Sequence, residues 1–546
     1  MICCHSPIAP TLRGLAGYSK KEEAMRTYTE LMQQSYSRWR IHLLSLAAAQ
    51  VILLVAPATA QLAAAAEKPN VVLILADDVS TDMFSCYGRP GTAKTPNIDR
   101  IADEGVQFRT CFAPAICAPS RALLMTGVYG NRTGVFRNDM WAFDSRGTLF
   151  TAQHSWAKLL QQAGYKTAVA GKWHCGAREP WDPHVGFDEY CMWEGPDKIK
   201  SHFGIDVIAG GQRKDITLPD LRYWYPSIIQ NGKYVEVAEN DFGPDIRCDF
   251  LMDFMERMVE AERPFLAYWP TVIPHGPYST TPDAGAVLDI ELAKPDTSGM
   301  SQEESAKAIA DYERQQQQRF VNLIQYMDKL IGKLMRKVEE LGIYERTYFI
   351  FCADNGTAVT AKDRGVERGV HVPYVVKGPG VLRRGLTDEL TDFADVAPTL
   401  LDIAGVAYPT DVSFDGRSQL PFLSGKTDTH RAWIYAYTGP VQVLRTKSHL
   451  LEARSPFYGK PDGRFYFTGD NRFGRGYVRV DRHPEHAQQR ATFETIIESL
   501  PSHLEADHPF WTSKLGKSWL EKNDKSELAK KHLYNHPDYS FYDETD

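Results

Sequence analysis

Apolar and polar positions along the chain fall into blocks of two kinds. The short kind is apolar throughout: residues 71–76 in "NVVLILADD" carry no polar side chain, then stop at two carboxylates, Asp77 and Asp78. Unbroken apolarity over such a length predicts a strand buried on both faces, as in a parallel sheet. Three further runs end in the same way. "TAVAGKWH" closes on Lys172 and His174, "PFLAYWPTVIPH" on His275, and "TYFIFCADNG" on Asp354 and Asn355.

The longer blocks have helical period. In "TAQHSWAKLLQQAG", Trp156, Leu159, Leu160 and Ala163 share a stripe, and Gly164 follows as a C-cap. In "RFVNLIQYMDKLIGKLMRKVEELG", Val321, Ile324, Ile331, Leu334, Val338 and Leu341 form the face to be buried, with Gly342 as the stop. The "QQQQ" before it, residues 315–318, reads as an exposed helix face. Strands alternating with helices predict an α/β sandwich around a mostly parallel sheet. Ligands bind such sheets beyond the carboxyl ends of the strands, where all four polar clusters fall. From about residue 430 the pattern changes. "HRAWIYAYTGPVQVLRTKSHLLEA" offers two alternating strand-like runs, so a smaller α+β domain is expected over 429–546, after a large domain over 67–428. "PFLSGKTDTH" is the expected linker between them.

The N-terminal 66 residues belong to neither domain. Arg38 and Arg40 precede an apolar run over 43–56, and Ala58, Thr59 and Ala60 have the small-x-small form of a signal-peptidase site; Ala64, Ala65 and Ala66 offer a second. The run is shorter than the roughly 20 residues of a spanning helix. It predicts a cleaved leader and an exported protein, periplasmic or secreted, that meets a membrane only in transit. Starts at Met25 or Met32 would give a more typical leader.

Composition narrows the class further. Hydrophobic residues make up 43% and charged residues 24%, as in globular enzymes, and a net charge of -7 speaks against a nucleic-acid partner. Beyond the leader remain Cys86, Cys111, Cys117, Cys175, Cys191, Cys248 and Cys352, an odd and scattered set with no paired CxxC, which excludes a disulfide framework or a zinc ribbon. Cys352 reads as a small core residue. Cys117, two residues before a proline and four before Arg121 at the mouth of an apolar helix, does not.

The strand-end residues suggest their own chemistry. Asp77, Asp78, Asp354 and Asn355 make a hard oxygen set suited to Ca²⁺ or Mg²⁺. Either pair alone would pass as a cap or turn. Lys172, His174, His275 and Arg121 add cationic and proton-transfer groups, and Arg121 lies one turn beyond Cys117 near a helix N-terminus, which favours an anion.

Two of these segments carry a resemblance. "CAPSRALLMTG" resembles the first signature of the type I sulfatases, C-x-P-S-R, and "GYKTAVAGKWH" is similar to the second. The resemblance covers about residues 68 to 425 and implies an alkaline-phosphatase-like α/β/α sandwich. It implies that a maturation enzyme oxidises Cys117 to Cα-formylglycine, whose hydrate is an oxygen nucleophile. Position 117 would then also bind the metal, Ca²⁺ by the resemblance, together with Asp77, Asp78, Asp354 and Asn355. Arg121 would stabilise the formylglycine and Lys172 would bind sulfate. His275, in an H-x-P setting, would be the leaving-group acid, and His174 the base that breaks down the sulfated intermediate. "KDRGVERGVHVP" supplies Lys362 five residues before Glu367, as in the family, although Arg368 and His371 depart from its pattern.

The expected activity is hydrolysis of a sulfate ester of a small molecule or saccharide. A phosphonate monoester or phosphodiester hydrolase of the same superfamily is the nearest alternative, and an anion- or glycan-binding protein with an unmatured cysteine is another. Trp181, Trp193, Phe203, Tyr223, Trp224 and Tyr225 are candidates to wall the pocket and stack on sugar rings, which favours a sulfated carbohydrate. Asn131 and Asn355 both start glycosylation sequons, the second at a proposed metal ligand.

Overall fold

Ten strands build the larger sheet: β1 (Asn70–Ala76), β2 (Val106–Phe112), β3 (Lys166–Gly171), β4 (Glu189–Trp193), β5 (Ile228–Gln230), β6 (Lys233–Tyr234), β7 (Phe265–Pro270), β8 (Thr347–Ala353), β9 (His371–Lys377) and β10 (Gly385–Asp392). Their spatial order is β10-β2-β9-β8-β1-β7-β3-β4-β5-β6. The computed structural model describes residues 68–88, 93–138, 155–175, 179–194, 222–238, 240–284, 294–358, 361–411, 413–470, 476–500, 517, 529 and 531–533. The expected leader and Phe203 lie outside these residues.

The four strands singled out by their polar ends, β3, β7, β1 and β8, are consecutive neighbours and mutually parallel. Every residue of β1, β7 and β8 is buried, as unbroken apolarity requires. β9 runs against β8 and β2, and β5 runs against β4, so the sheet is mixed at its flanks.

Two helical layers cover it. Helices α1 (Pro96–Asp103), α4 (Gly243–Glu260) and α5 (Gln302–Glu340) pack together, as do α2 (Cys117–Thr126), α3 (Trp156–Gln162) and α6 (Val396–Ala404). The long helix begins well before the stretch its apolar stripe marked. Ser301 caps it through a capping box with Glu304, and its first turns are exposed, so periodicity read from apolar residues registers only the buried half. Ile324, Ile331, Leu334 and Val338 are buried, while Val321 and Leu341 are half-buried.

The C-terminal sheet is antiparallel, β11 (Ile434–Thr438), β12 (Val441–Arg445), β13 (His449–Arg454), β14 (Arg464–Phe467) and β15 (Val478–Arg479), followed by α7 (Ala487–Ser499). Three strands, not two, occupy the segment read as a pair of alternating runs. β11 and β12 are buried at every position because they lie between the sheet's own packing and the larger domain, which hides any alternation. Of the expected linker segment, residues 425–429 are exposed and its start is ordered. Leu420–Leu423 is a short helix with Phe422 and Leu423 buried, and Arg431, just past the segment, is buried too.

Candidate active site

In-register pairing of Ala76 with Ala353 makes the two acidic pairs leave the sheet side by side. The Asp78 amide donates to Asp354 Oδ1 at 3.0 Å, and Asn355 Nδ2 donates to Asp78 Oδ1 at 2.8 Å. β7 flanks β1 on the other side, and β3 lies beyond it. Gly171 is required there, because a Cβ would stand 1.9 Å from the Pro270 carbonyl oxygen. The chain then turns through left-handed backbone at His174 (φ +52°), as it does at Asp78 (φ +64°), conformations costly for residues other than glycine and concentrated at functional sites.

Helix α2 brings the thiol to this edge. Ile116 is extended, Cys117 is the first helical residue, and Pro119 sits in the first turn, where its missing N–H is no loss. The Ala118 amide donates to Asn138 Oδ1 at 3.0 Å, and Ser120 Oγ donates to the Pro114 carbonyl at 2.8 Å and contacts the Asp354 carbonyl, pinning the helix start to the end of β8. The fully buried Cys117 Sγ lies 3.6 Å from Asp77 Oδ1, 3.7 Å from Asp78 Oδ1 and 3.5 Å from Lys172 Nζ. One turn on, Arg121 donates Nε and Nη2 to Asp354 Oδ2 at 3.1 and 2.8 Å, and Nη1 to the Lys172 carbonyl at 2.8 Å.

The remaining candidates close the ring. Lys172 Nζ is 2.8 Å from Asp77 Oδ2, and Lys362 Nζ is 2.7 Å from Asp78 Oδ2 and 3.3 Å from His275 Nε2. His275 Nε2 lies 3.4 Å from Asp78 Oδ2. His174 is in the same field: burial first, then Lys172 and Arg121, push its imidazole down to about 2, and its Nδ1 is buried without a hydrogen-bond partner. Burial and Lys172 likewise lower His275 to about 4. Burial would raise the Asp77 carboxyl, but the charges of Lys172, His275 and Arg121 hold it well below the usual range. Asp354 rises to about 6 through burial and its neighbour Asp77. Burial and the Asp354 charge push the Cys117 thiol up.

These residues could hold a divalent cation. Asp77, Asp78, Cys117 and His275 each offer an atom within 4.8 Å of the others, and Asn355 Oδ1, buried with no hydrogen-bond partner, is an oxygen lacking a cation or donor. Sequence reasoning missed two residues of the surround. Arg222 contacts His275 Nδ1 and donates to the Gly276 carbonyl at 3.0 Å, and Asn138 caps the Cys117 helix. Neither stands in a motif, and only the fold brings them near.

The aromatic residues divide. Tyr223 and Trp224 are buried against Phe242; Tyr223 Oη donates to the Val272 and His275 carbonyls, and Trp224 Nε1 to the Thr280 carbonyl. They are buried and support the His275 turn. Trp181, Trp193 and Tyr225 are half-buried. Both sequon asparagines, Asn131 and Asn355, are buried, which removes them as glycan acceptors in the folded chain.

A family model described as Sulfatase matches residues 69–406. Among curated proteins, N-acetylgalactosamine-6-sulfatase of Canis lupus familiaris is 29% identical over 427 residues, 73% of this chain and 74% of that protein. Arylsulfatase A of Homo sapiens is 29% identical over 396 residues, 68% and 71% of the two chains. N-acetylglucosamine-6-O-sulfatase of Bacteroides thetaiotaomicron is 26% identical over 445 residues, 67% and 73%. A structure solved with its substrate D-glucosamine-2-N,6-O-disulfate superposes with a TM-score of 0.58 at 22% identity, covering 79% of this chain and 97% of the other.

Proposed function

Because the chain belongs to the sulfatase family and is a sulfuric ester hydrolase, we propose that it removes sulfate from a saccharide, using Cα-formylglycine made from Cys117 and one divalent cation, Ca²⁺ before Mg²⁺. The observation that carries this reading is the seat of Cys117, at a helix N-terminus with its Sγ 3.5 Å from Lys172 Nζ and under 4 Å from two carboxylates. A thiol kept protonated by burial and Asp354 is a poor nucleophile at neutral pH. Oxidised to the aldehyde and hydrated, position 117 would supply an oxygen nucleophile instead. The cation, held by Asp77, Asp78, Asp354 and Asn355 with position 117, would draw electron density from the sulfate oxygens.

The protein's own charges set up the rest. Three carboxylates, Asp77, Asp78 and Asp354, face three cations, Arg121, Lys172 and Lys362. With the protein charges balanced, a divalent ion leaves the pocket positive, suited to an anionic ester. Lys172 and Lys362 bind sulfate oxygens, and Arg121 fixes the geometry at position 117. His275 would regain its proton when the anionic ester offsets the Lys172 charge, and would then give it to the leaving alkoxide, without which a sugar alcohol departs slowly; His174 takes the proton that releases inorganic sulfate.

The saccharide assignment draws on relatives named for hexosamine sulfates and on the neighbour holding a disulfated glucosamine. Export through the leader, and maturation by a formylglycine-generating enzyme, complete the proposal. No helix among the described residues is long and apolar enough to cross a membrane. The test is to express the chain with the maturation enzyme, follow the Cys117 peptide by mass spectrometry, and compare turnover of hexosamine 6-sulfates with that of an aryl phosphonate. Faster turnover of the phosphonate, or full turnover with Cys117 unmodified, would overturn the reading.

A further inference from the structure

The turn between β15 and α7 reads "DRHPEHAQ" and has no part in the chemistry above. Pro484–His486 forms a single tight turn in which the His486 amide donates to the His483 carbonyl at 3.0 Å, and α7 starts directly behind it. This turn sets His483, Glu485 and His486 on one side, each with a ligand atom within 4.8 Å of the others. His483 and Glu485 are exposed and His486 half-buried, so the group is open to solvent. Modest side-chain rotation brings such atoms to the separation of about 3.3 Å expected between the ligands of a tetrahedral zinc ion.

Behind the group lies a buried histidine. His449, 3% exposed at the start of β13, stacks on Phe465 and places Nε2 2.9 Å from His486 Nδ1, while its own Nδ1 is 2.9 Å from Ser448 Oγ. The chain of contacts has one direction that suits metal binding: with His486 Nδ1–H donating to His449 Nε2 and His449 Nδ1–H to Ser448 Oγ, His486 Nε2 would keep a lone pair for a metal. Histidines that bind metals are characteristically oriented by such a partner on the opposite ring nitrogen.

We propose that His483, Glu485 and His486 form a second metal site, for a borderline transition-metal cation of the Zn²⁺ class, with His449 as the group that orients His486. Two imidazoles and a carboxylate suit Zn²⁺, Ni²⁺ or Cu²⁺ and discriminate against Ca²⁺ and Mg²⁺, the reverse of the oxygen-rich site at Asp77 and Asp354. Three ligands leave a fourth position for water or another donor. The ion would fasten the start of α7 to the C-terminal sheet through His449.

The test uses the full chain saturated with Ca²⁺ and titrated with Co²⁺, followed by its visible d–d bands, and with Zn²⁺ by calorimetry. One equivalent of Zn²⁺ is expected to bind and to raise the melting temperature, with the Co²⁺ spectrum of a nitrogen- and oxygen-ligated tetrahedral ion. The H483A/H486A variant should lose that equivalent while keeping its sulfatase turnover. H449Q should weaken binding by about 10- to 100-fold, as loss of an orienting partner does. Absence of a Zn²⁺ equivalent in the parent protein, or the same equivalent retained in H483A/H486A, would overturn the proposal.

Discussion

At the residue scale, the site is a set of opposite charges whose burial decides their value. Lys172 is 6% exposed, and its ammonium lies between Asp77 Oδ2 and Cys117 Sγ. Replacing Lys172 with Ala is expected to leave Asp77 paired with Arg121, whose Nη2 is 3.4 Å away, and so to spare folding while removing a cation from the sulfate pocket. Loss of one preorganised charge or donor aimed at developing transition-state charge costs about 10²–10³ in kcat. Steady-state kinetics of K172A on a sugar sulfate should show a fall of that size in kcat/KM; a loss below tenfold would remove Lys172 from the sulfate site. Asp77, Asp78, Lys172, His174, His275, Asp354 and Asn355 were legible as candidates because each is a distinctive residue type closing an apolar run, whereas Cys117, Arg121 and Lys362 were picked out by their motifs. Arg222 was not, since "LRYWYP" has no periodicity or spacing that marks an arginine, and its approach to His275 arises from segments about fifty residues apart.

At the element scale, the parallel centre of the sheet was readable and its antiparallel flank was not. β1, β7 and β8 carry the uniform apolarity that burial on both faces demands. "HVPYVVK" in β9 is equally buried, and nothing in its composition says that it runs against β8 and β2; only the chain's path decides that. The first residue of β9 illustrates what such a pairing costs. His371 opposes Phe112 in β2, and its Nε2 donates to the Arg109 carbonyl at 2.8 Å. Burial holds this imidazole down to about 4. A histidine depressed in the folded state adds stability that is complete above its unfolded value near 6.5 and is lost as pH falls toward 4. The shift corresponds to at most about 3 kcal/mol, by the conversion of 1.36 kcal/mol per pKa unit. Urea melts of the parent and H371Q between pH 7 and pH 4 should therefore converge as the pH drops, with H371Q the flatter of the two. Parallel curves would show that His371 is not the group titrating.

At the scale of the whole molecule, the question is whether the two sheets melt together. Residues Pro69–Asp546 form one compact unit, and one apolar core takes in Val71 of β1 along with Tyr435, Leu444 and Phe465 of the C-terminal sheet. The join also contains a buried ionic knot. Arg431 donates Nη1 to Asp392 Oδ1 at 2.7 Å and to Asp395 Oδ1 at 2.9 Å, and Nη2 to Tyr129 Oη at 2.9 Å; His430 Nε2 lies 2.9 Å from Asp395 Oδ2. Asp392 ends β10 of the larger sheet and its Oδ2 also accepts from the Tyr435 amide of β11, at 3.1 Å, so a single carboxylate is bonded to both sheets. Such a cluster adds little over a well-packed apolar join, but removing one partner strands the others in low dielectric, at about 3–5 kcal/mol. R431M is therefore expected to lose stability of that order, and R431M/D392N/D395N to regain part of it, because the amides need no cation. If the join makes the sheets one cooperative unit, tryptophan fluorescence and loss of sulfatase turnover will shift to lower denaturant together in R431M. A C-terminal sheet that melts first, with turnover and the Asp77 site surviving to the parent midpoint, would instead mark the boundary near residue 428 as a true domain break.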